Sequence, residues 1–254
     1  MRQRPVAWRG QAVAGAVAVV LFACVAVALK APTGAEGVGP FVVSLPFLAA
    51  DSATTSTPSG LIETRNVTSY TDATNPNAPV FFVVGELANG RSNAVERVEL
   101  TAKFFNAQGQ ALAVDGDITY ADLEVIPAGG DSPFSFAIVS PPAPIASFTI
   151  TVSGVTDPAI LPAVEGITTS VDDTRTEGAF RFVTGIVRND SSFTWSNVTV
   201  LVAYYDAAGR VVRTDLTFPM DEVLAPGEEA EFESFVNAEG TTIATQRIWV
   251  RASR

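Results

Sequence analysis

The stretch Phe82–Gly109, FVVGELANGRSNAVERVELTAKFFNAQG, returns one hundred residues later as Phe182–Gly209, FVTGIVRNDSSFTWSNVTVLVAYYDAAG. Without a gap the two share eight of twenty-eight positions, against about two from ordinary composition. Further pairs are conservative: Leu87/Val187, Leu100/Val200, Phe104/Tyr204, Phe105/Tyr205 and Asn106/Asp206. A supersecondary unit has been built twice. Within it Val98, Leu100, Ala102 and Phe104 alternate with Arg97, Glu99, Thr101 and Lys103. A period of two gives one buried and one wet face, the pattern of an antiparallel strand.

Phe134, Phe136 and Ile138 alternate in the same way, as do Phe148, Ile150 and Val152. No 3.6-residue apolar stripe is sustained in the body, so little or no helix is expected there. The strand before each turn ends in Asn106-Ala-Gln-Gly109 or Asp206-Ala-Ala-Gly209. A short side chain at the first position can accept a backbone N–H, and glycine at the last takes positive φ without steric cost, so both read as hairpin turns. Ile126-Pro-Ala-Gly129 and Leu224-Ala-Pro-Gly227 lead into Phe134 and Phe232 at an offset of ninety-eight, so the second copy is two residues shorter between its turns.

These boundaries predict residues 1–30 as a signal peptide or signal-anchor helix, 31–60 as a flexible spacer, 61–154 as a first β-domain, 155–166 as a linker and 167–254 as a second β-domain. Pro158 and Pro162 stiffen the linker, which restricts the mutual orientations of what it joins. Ala12–Leu29 is an apolar run of eighteen residues behind Arg2, Arg4 and Arg9. It reads either as a signal peptide cleaved near Ala28 or as an uncleaved span. A third reading takes Leu21-Phe-Ala-Cys24 as a lipobox with Cys24 lipidated. In each case the body is extracytoplasmic. Phe41–Leu48 is apolar but too short to span and is interrupted by Pro46; it reads as an interfacial contact or a strand lent to the first domain.

Composition narrows the chemistry. The chain has 254 residues, no histidine and one cysteine, which excludes Ser/His/Asp and Cys/His catalysis, the HExxH motif and a cysteine-built zinc site. Four of its 16 basic residues and none of its 27 acidic ones fall in the first thirty positions, so the remainder carries 12 against 27, a net of −15. Such a surface repels phosphates, and no nucleic-acid partner is expected. Acidic residues gather at Asp115, Asp117, Asp122 and Glu124, at Asp172-Asp173, at Asp221-Glu222 and at Glu228 to Glu233. A calcium site needs several such oxygens to converge, and Glu229, Glu231 and Glu233 read instead as the wet face of a strand. No catalytic, metal or cofactor residue is expected.

The G-x-x-x-N opening (Gly85 to Asn89, Gly185 to Asn189), the aromatic pair before Asn/Asp-x-x-Gly and the later Pro/Gly turn resemble the FxLYD family. The second copy reads Val202-Ala-Tyr-Tyr-Asp206 and the first Ala102-Lys-Phe-Phe-Asn106, with the leading Phe absent and Leu replaced by an aromatic residue. The resemblance implies two tandem antiparallel immunoglobulin-like β-sandwiches, an all-β fold behind an N-terminal hydrophobic helix, in exported bacterial and archaeal proteins without assigned enzymatic activity. It points to a membrane-tethered, non-catalytic binding or structural module of the envelope with an envelope or protein partner. The alternative is an accessory module for carbohydrate or calcium. Outward positions diverge most between the copies. Leu201, Ala203 and Tyr205 make an apolar stripe where the first copy is charged, and such a stripe either marks a binding face or is covered by a neighbouring segment. Phe193 and Trp195, in the preceding loop, are a second contact candidate or a lid on the core. Asn66, Asn189 and Asn197 each stand in an N-x-[ST] acceptor pattern.

Overall fold

The computed structural model describes residues 62–254; the expectations for the apolar run, Ala28, Cys24, the spacer and Phe41–Leu48 lie outside them. The described residues are all-β and antiparallel. The first repeat contains β1 (Ile62–Asp72), β2 (Val80–Asn89), β3 (Val95–Phe105), β4 (Ala111–Leu112), β5 (Ile118–Tyr120), β6 (Val125–Ile126), β7 (Asp131–Val139) and β8 (Ser147–Thr156). The second contains β9 (Ile167–Glu177), β10 (Phe180–Asn189), β11 (Ser196–Tyr205), β12 (Val211–Thr217), β13 (Glu229–Asn237) and β14 (Thr245–Ser253). Among the described residues no helix is long and apolar enough to cross a membrane.

Each repeat holds two sheets. In the first, β1-β2-β7 faces a sheet in which β3 is paired by β4, β5 and β6 on one side and β8 on the other. In the second, β9-β10-β13 faces β12-β11-β14. The alternation seen in sequence is the burial: Val98, Leu100, Ala102 and Phe104 are buried, and so are Val198, Val200, Val202 and Tyr204. They meet Val83, Leu87, Phe134 and Phe136 in one core and Val183, Val187 and Phe232 in the other. The register shifts at Glu96/Glu99 and at Ser196/Thr199, and the equivalent Arg97 and Asn197 both have φ of 51°. The same bulge is thus built twice, with a non-glycine residue held in the left-handed region.

The recurring residues have structural causes. A Cβ on Gly85 would come within 2.8 Å of the Phe134 ring, and one on Gly185 would meet the Ser170 carbonyl first and then the Phe232 ring at 2.9 Å. Glycine is required so that the phenyl can lie against the strand backbone. Asn89 Nδ2 donates to the Ile126, Pro127 and Asn93 carbonyls while its Oδ1 accepts from Arg91 N. Asn189 repeats this with Leu224 O, Phe193 O and Ser191 N. Both are fully buried, and their amides supply the partners that buried loop carbonyls need. The Asn189 acceptor pattern is therefore consumed inside the fold.

The turns are built as their residues dictate. Asn106 Oδ1 accepts from Gln108 N and Gln110 N at 3.0 Å each, with Gly109 at φ 74°. Asp206 Oδ1 accepts from Ala208 N and Arg210 N at 2.9 Å each, with Gly209 at φ 77°. One core substitution is coupled. Phe104 lies edge-on to Phe136 at 6.3 Å, whereas its counterpart Tyr204 meets Ser234 through a 2.7 Å hydrogen bond that continues to Asp215 at 2.6 Å. A buried hydroxyl needs a partner, and serine in place of phenylalanine supplies it.

The connection between repeats is fastened to the first. Glu96 accepts from Ile160 N and Leu161 N at 2.8 Å each, and these amides hold its carboxyl below the usual carboxylate range. Arg91 and Asn93 both bond Asp157, and Ala159 N donates to Ala94 O.

Candidate functional site

The apolar stripe of the second repeat is a face between the repeats. Leu201, Ala203 and Tyr205 are at most 7% exposed. Ala203, Tyr205 and Val211 form one cluster with Val84, and Tyr70, Phe82 and Trp249 pack against it. Leu201 joins the buried residues of the first repeat. The outer face of β1-β2-β7 is thereby laid on the outer face of β12-β11-β14, and the stripe is not open to another molecule.

Polar groups fix the register of this contact. Tyr205 Oη donates to Glu86 Oε1 at 2.5 Å, and Asn66 Nδ2 donates to Glu86 Oε2 at 2.6 Å. Burial, then the bond to Glu86, raises the Tyr205 phenol far above its ordinary value. Arg247 Nη1 reaches Asp131 Oδ2 at 2.5 Å and Trp249 Nε1 reaches Asp131 Oδ1 at 2.9 Å. Thr68 Oγ1 donates to Val211 O. The Arg213 guanidinium lies 3.8 Å from the Tyr70 ring centroid, a cation over an aromatic face; burial pushes the Tyr70 phenol up to about 12, with Arg213 opposing. Arg251 Nη1 donates to Asp122 O at 3.3 Å. Burial lifts the Asp122 carboxyl to about 7 against the pull of Arg251.

Trp195 is 1% exposed and belongs to the core of the second repeat. Its backbone pairs with Leu224 and its Nε1 donates to Ser191 Oγ at 3.0 Å. Its counterpart one hundred residues earlier, Val95, is equally buried, which is the signal that places it in the core. Phe193 is 48% exposed, with the Arg254 guanidinium 3.9 Å from its ring centroid.

A different surface carries the free aromatic area. On the outer face of β9-β10-β13, Phe180, Phe182 and Phe235 form a cluster: Phe182 and Phe235 stack at 5.8 Å, and Phe180 lies 6.3 Å from Phe235. Phe180 is 40% and Phe235 is 55% exposed. Arg175 covers Phe182 with its guanidinium 4.4 Å from the centroid, while bonding Glu177 and Glu233 at 2.7 and 2.9 Å. At the other end of the face Arg188 approaches Asp190 and Glu229. The exposed Glu229, Glu231 and Glu233 alternate with buried Ala230, Phe232 and Ser234, as their spacing predicts.

Among the described residues no three acidic side chains converge on a common point suited to a metal. An open hollow of about 580 Å³ is lined by Thr176, Gly178, Arg181, Glu239 and Thr242, and one of about 450 Å³ by Arg188, Asp221, Gly227, Glu228 and Glu229.

No family model and no curated protein matches the chain. Among solved structures, a red sea bream transglutaminase aligns at 9% identity with a TM-score of 0.25, covering 74% of this chain and 29% of its own. The Amycolatopsis orientalis exo-chitosanase CsxA aligns at 13% identity with a TM-score of 0.26, covering 74% of this chain and 25% of its own. This chain thus spans under a third of either, and likenesses this distant carry no argument.

Proposed function

We propose that this protein is an exported, membrane-tethered, non-catalytic binding or structural module of the cell envelope, built from two FxLYD-like immunoglobulin-like sandwiches. The reading is carried by the aromatic face of the second repeat: the same face of the first repeat is a docking face, and here, among the described residues, it is open with Phe180 and Phe235 exposed. Exposed aromatic clusters are costly to leave in water and serve as anchors where a partner covers them. Support for the family reading comes from the paired Gly/Phe contacts, the buried Asn nodes and the Asx-to-Gly turns. The basic lead and the apolar run of residues 12–29 support export and tethering.

The test is photocrosslinking on intact cells producing the full chain, with benzoylphenylalanine placed at Phe182 or at Thr101. Adducts from position 182 and none from position 101 are expected. Equal yields, or no adduct from 182 on chains that external protease can reach, would remove the reading. The same exposed phenylalanines favour one second reading, a carbohydrate platform. Glycan binding abolished by Phe235→Ser would select it.

A further inference from the structure

The two repeats use equivalent faces unequally, and the aligned positions show how. Strand β10 follows β2 at an offset of one hundred, and β13 follows β7 at ninety-eight. Phe82, Val84 and Glu86, all in the contact between repeats, correspond to Phe182, Thr184 and Ile186. Asp131, which binds Arg247 and Trp249, corresponds to Glu229. Asp122, beside Arg251, corresponds to Met220, which is 82% exposed. Both segments lie along the edge of the equivalent strand, Asp122 N bonding Pro133 O and Met220 N bonding Glu231 O. The face that receives a sheet in the first repeat is thus present in the second, more apolar at the Glu86 position and, among the described residues, uncovered.

Resting on the reading above, we infer that this face pairs with the same face of a second copy, about a two-fold axis. The other sheet that a second copy could offer is unsuited. Where β11 and β14 present Leu201, Ala203, Arg247 and Trp249, the outer face of β3 and β8 presents Thr101, Lys103, Thr149 and Thr151. Ile118 and Tyr120 of β5 lie exposed beside them, but this face has no counterpart of the Arg247 and Trp249 pair that engages Asp131, so copies stacked head to tail would lack that pairing. An isologous contact puts phenylalanine against phenylalanine and closes at two copies. Each face is net acidic, since Arg175 and Arg188 stand against Glu177, Glu233, Asp190 and Glu229, with Glu231 and Asp173 beside them. Like charge opposes the contact, and the two arginines offset part of it by exchanging their ion pairs across the axis. Three strands of about ten residues cover roughly 500 Å² per copy. About 1,000 Å² in total is the lower limit for a specific interface, so the dimer is weak and concentration-dependent. Because both copies are acidic, added salt strengthens it.

The test is sedimentation velocity of the full chain in nonionic detergent, from about 1 to about 200 µM. A shift from monomer to dimer is expected, weakened at least about thirty-fold by Phe182→Glu with Phe235→Glu, as for a buried aromatic hot spot. Phe235→Ser, milder and at an exposed position, weakens it with an unchanged melting temperature, and Thr101→Glu leaves it unchanged. A chain that stays monomeric throughout, or a dimer indifferent to Phe182→Glu/Phe235→Glu and to Phe235→Ser, overturns the inference. If the chain is monomeric while position 182 still crosslinks to a different protein on cells, the self-pairing fails and the binding reading stands.

Discussion

The outer faces of β1-β2-β7 and of β9-β10-β13 descend from one pattern and meet different surroundings. Both place a phenylalanine at the same strand position, and both stack it on a neighbouring aromatic ring. Phe82 lies on Tyr70 at 5.0 Å and Phe182 on Phe235 at 5.8 Å. Both draw an arginine onto the cluster, but Arg213 comes from across the contact, whereas Arg175 comes from the face's own edge strand. The first face has also acquired Glu86 and Asp131, each satisfied from the other repeat. The contact within the chain is thus set apart from the other face less by its aromatic residues than by polar groups whose partners lie on the opposite sheet.

That distinction can be broken most severely at Trp249. Its ring packs against both apolar clusters that join the repeats, and Trp249→Ala is expected to cost about 3 kcal/mol in chemical denaturation. The counterpart Thr151→Ala is expected to cost under about 0.5 kcal/mol. Next comes an exchange of the aligned pair. Glu86→Ile leaves the Tyr205 hydroxyl and the Asn66 amide without their acceptor and is expected to cost about 2 to 3 kcal/mol. Ile186→Glu on the free face is expected to stay within about 0.5 kcal/mol. A cost for Ile186→Glu equal to that of Glu86→Ile would show that the two faces are not differently loaded.

Asp122 gives a pH test of the same contact. Its folded value of about 7 lies above its ordinary 3.8, so the folded state keeps a proton that the unfolded chain releases. The stability it contributes is fully present below about pH 4 and is lost as pH rises to about 7. Asp122→Asn should flatten that fall, with a gain on the order of 2 kcal/mol at pH 8 and none at pH 3.5, read from paired urea curves. The smallest effect is expected at Phe235→Ser, within about 0.5 kcal/mol of wild type, since its ring is more than half exposed. A large loss there would mean that the aromatic cluster is part of the core.

Much of the fold was legible because its signals are local. Alternation at Val98–Phe104 and Phe134–Ile138 records burial on one side, and the Asn106/Gly109 and Asp206/Gly209 turns record backbone chemistry within four residues. The site was less legible, because exposure depends on what lies opposite. Leu201, Ala203 and Tyr205 read as an apolar stripe, but that Phe82 and Val84 cover it is a contact over more than one hundred residues. Phe82 and Phe182 are the same residue in the same local pattern, so neither announces which is free. The Glu86/Ile186 difference was the available sign. Trp195, in the loop before β11, reads from its local sequence as either a contact or a lid on the core, and only its alignment with buried Val95 selects the lid. The Asn89 and Asn189 nodes belonged to the motif, but their role required the Ile126 and Leu224 loops to be brought beside them.

The connection after β8 has a kinetic meaning as well as a structural one. With Glu96 holding the Ile160 and Leu161 amides and Arg91 holding Asp157, the path from one repeat to the next loses its freedom as the first repeat folds. The second repeat then meets its partner face at an effective concentration in the millimolar range expected for a short tether. A contact with few buried polar pairs therefore stays closed inside one chain. A partner for the opposite face has no such tether and must supply its own local concentration, which tethering both copies to one membrane surface would provide.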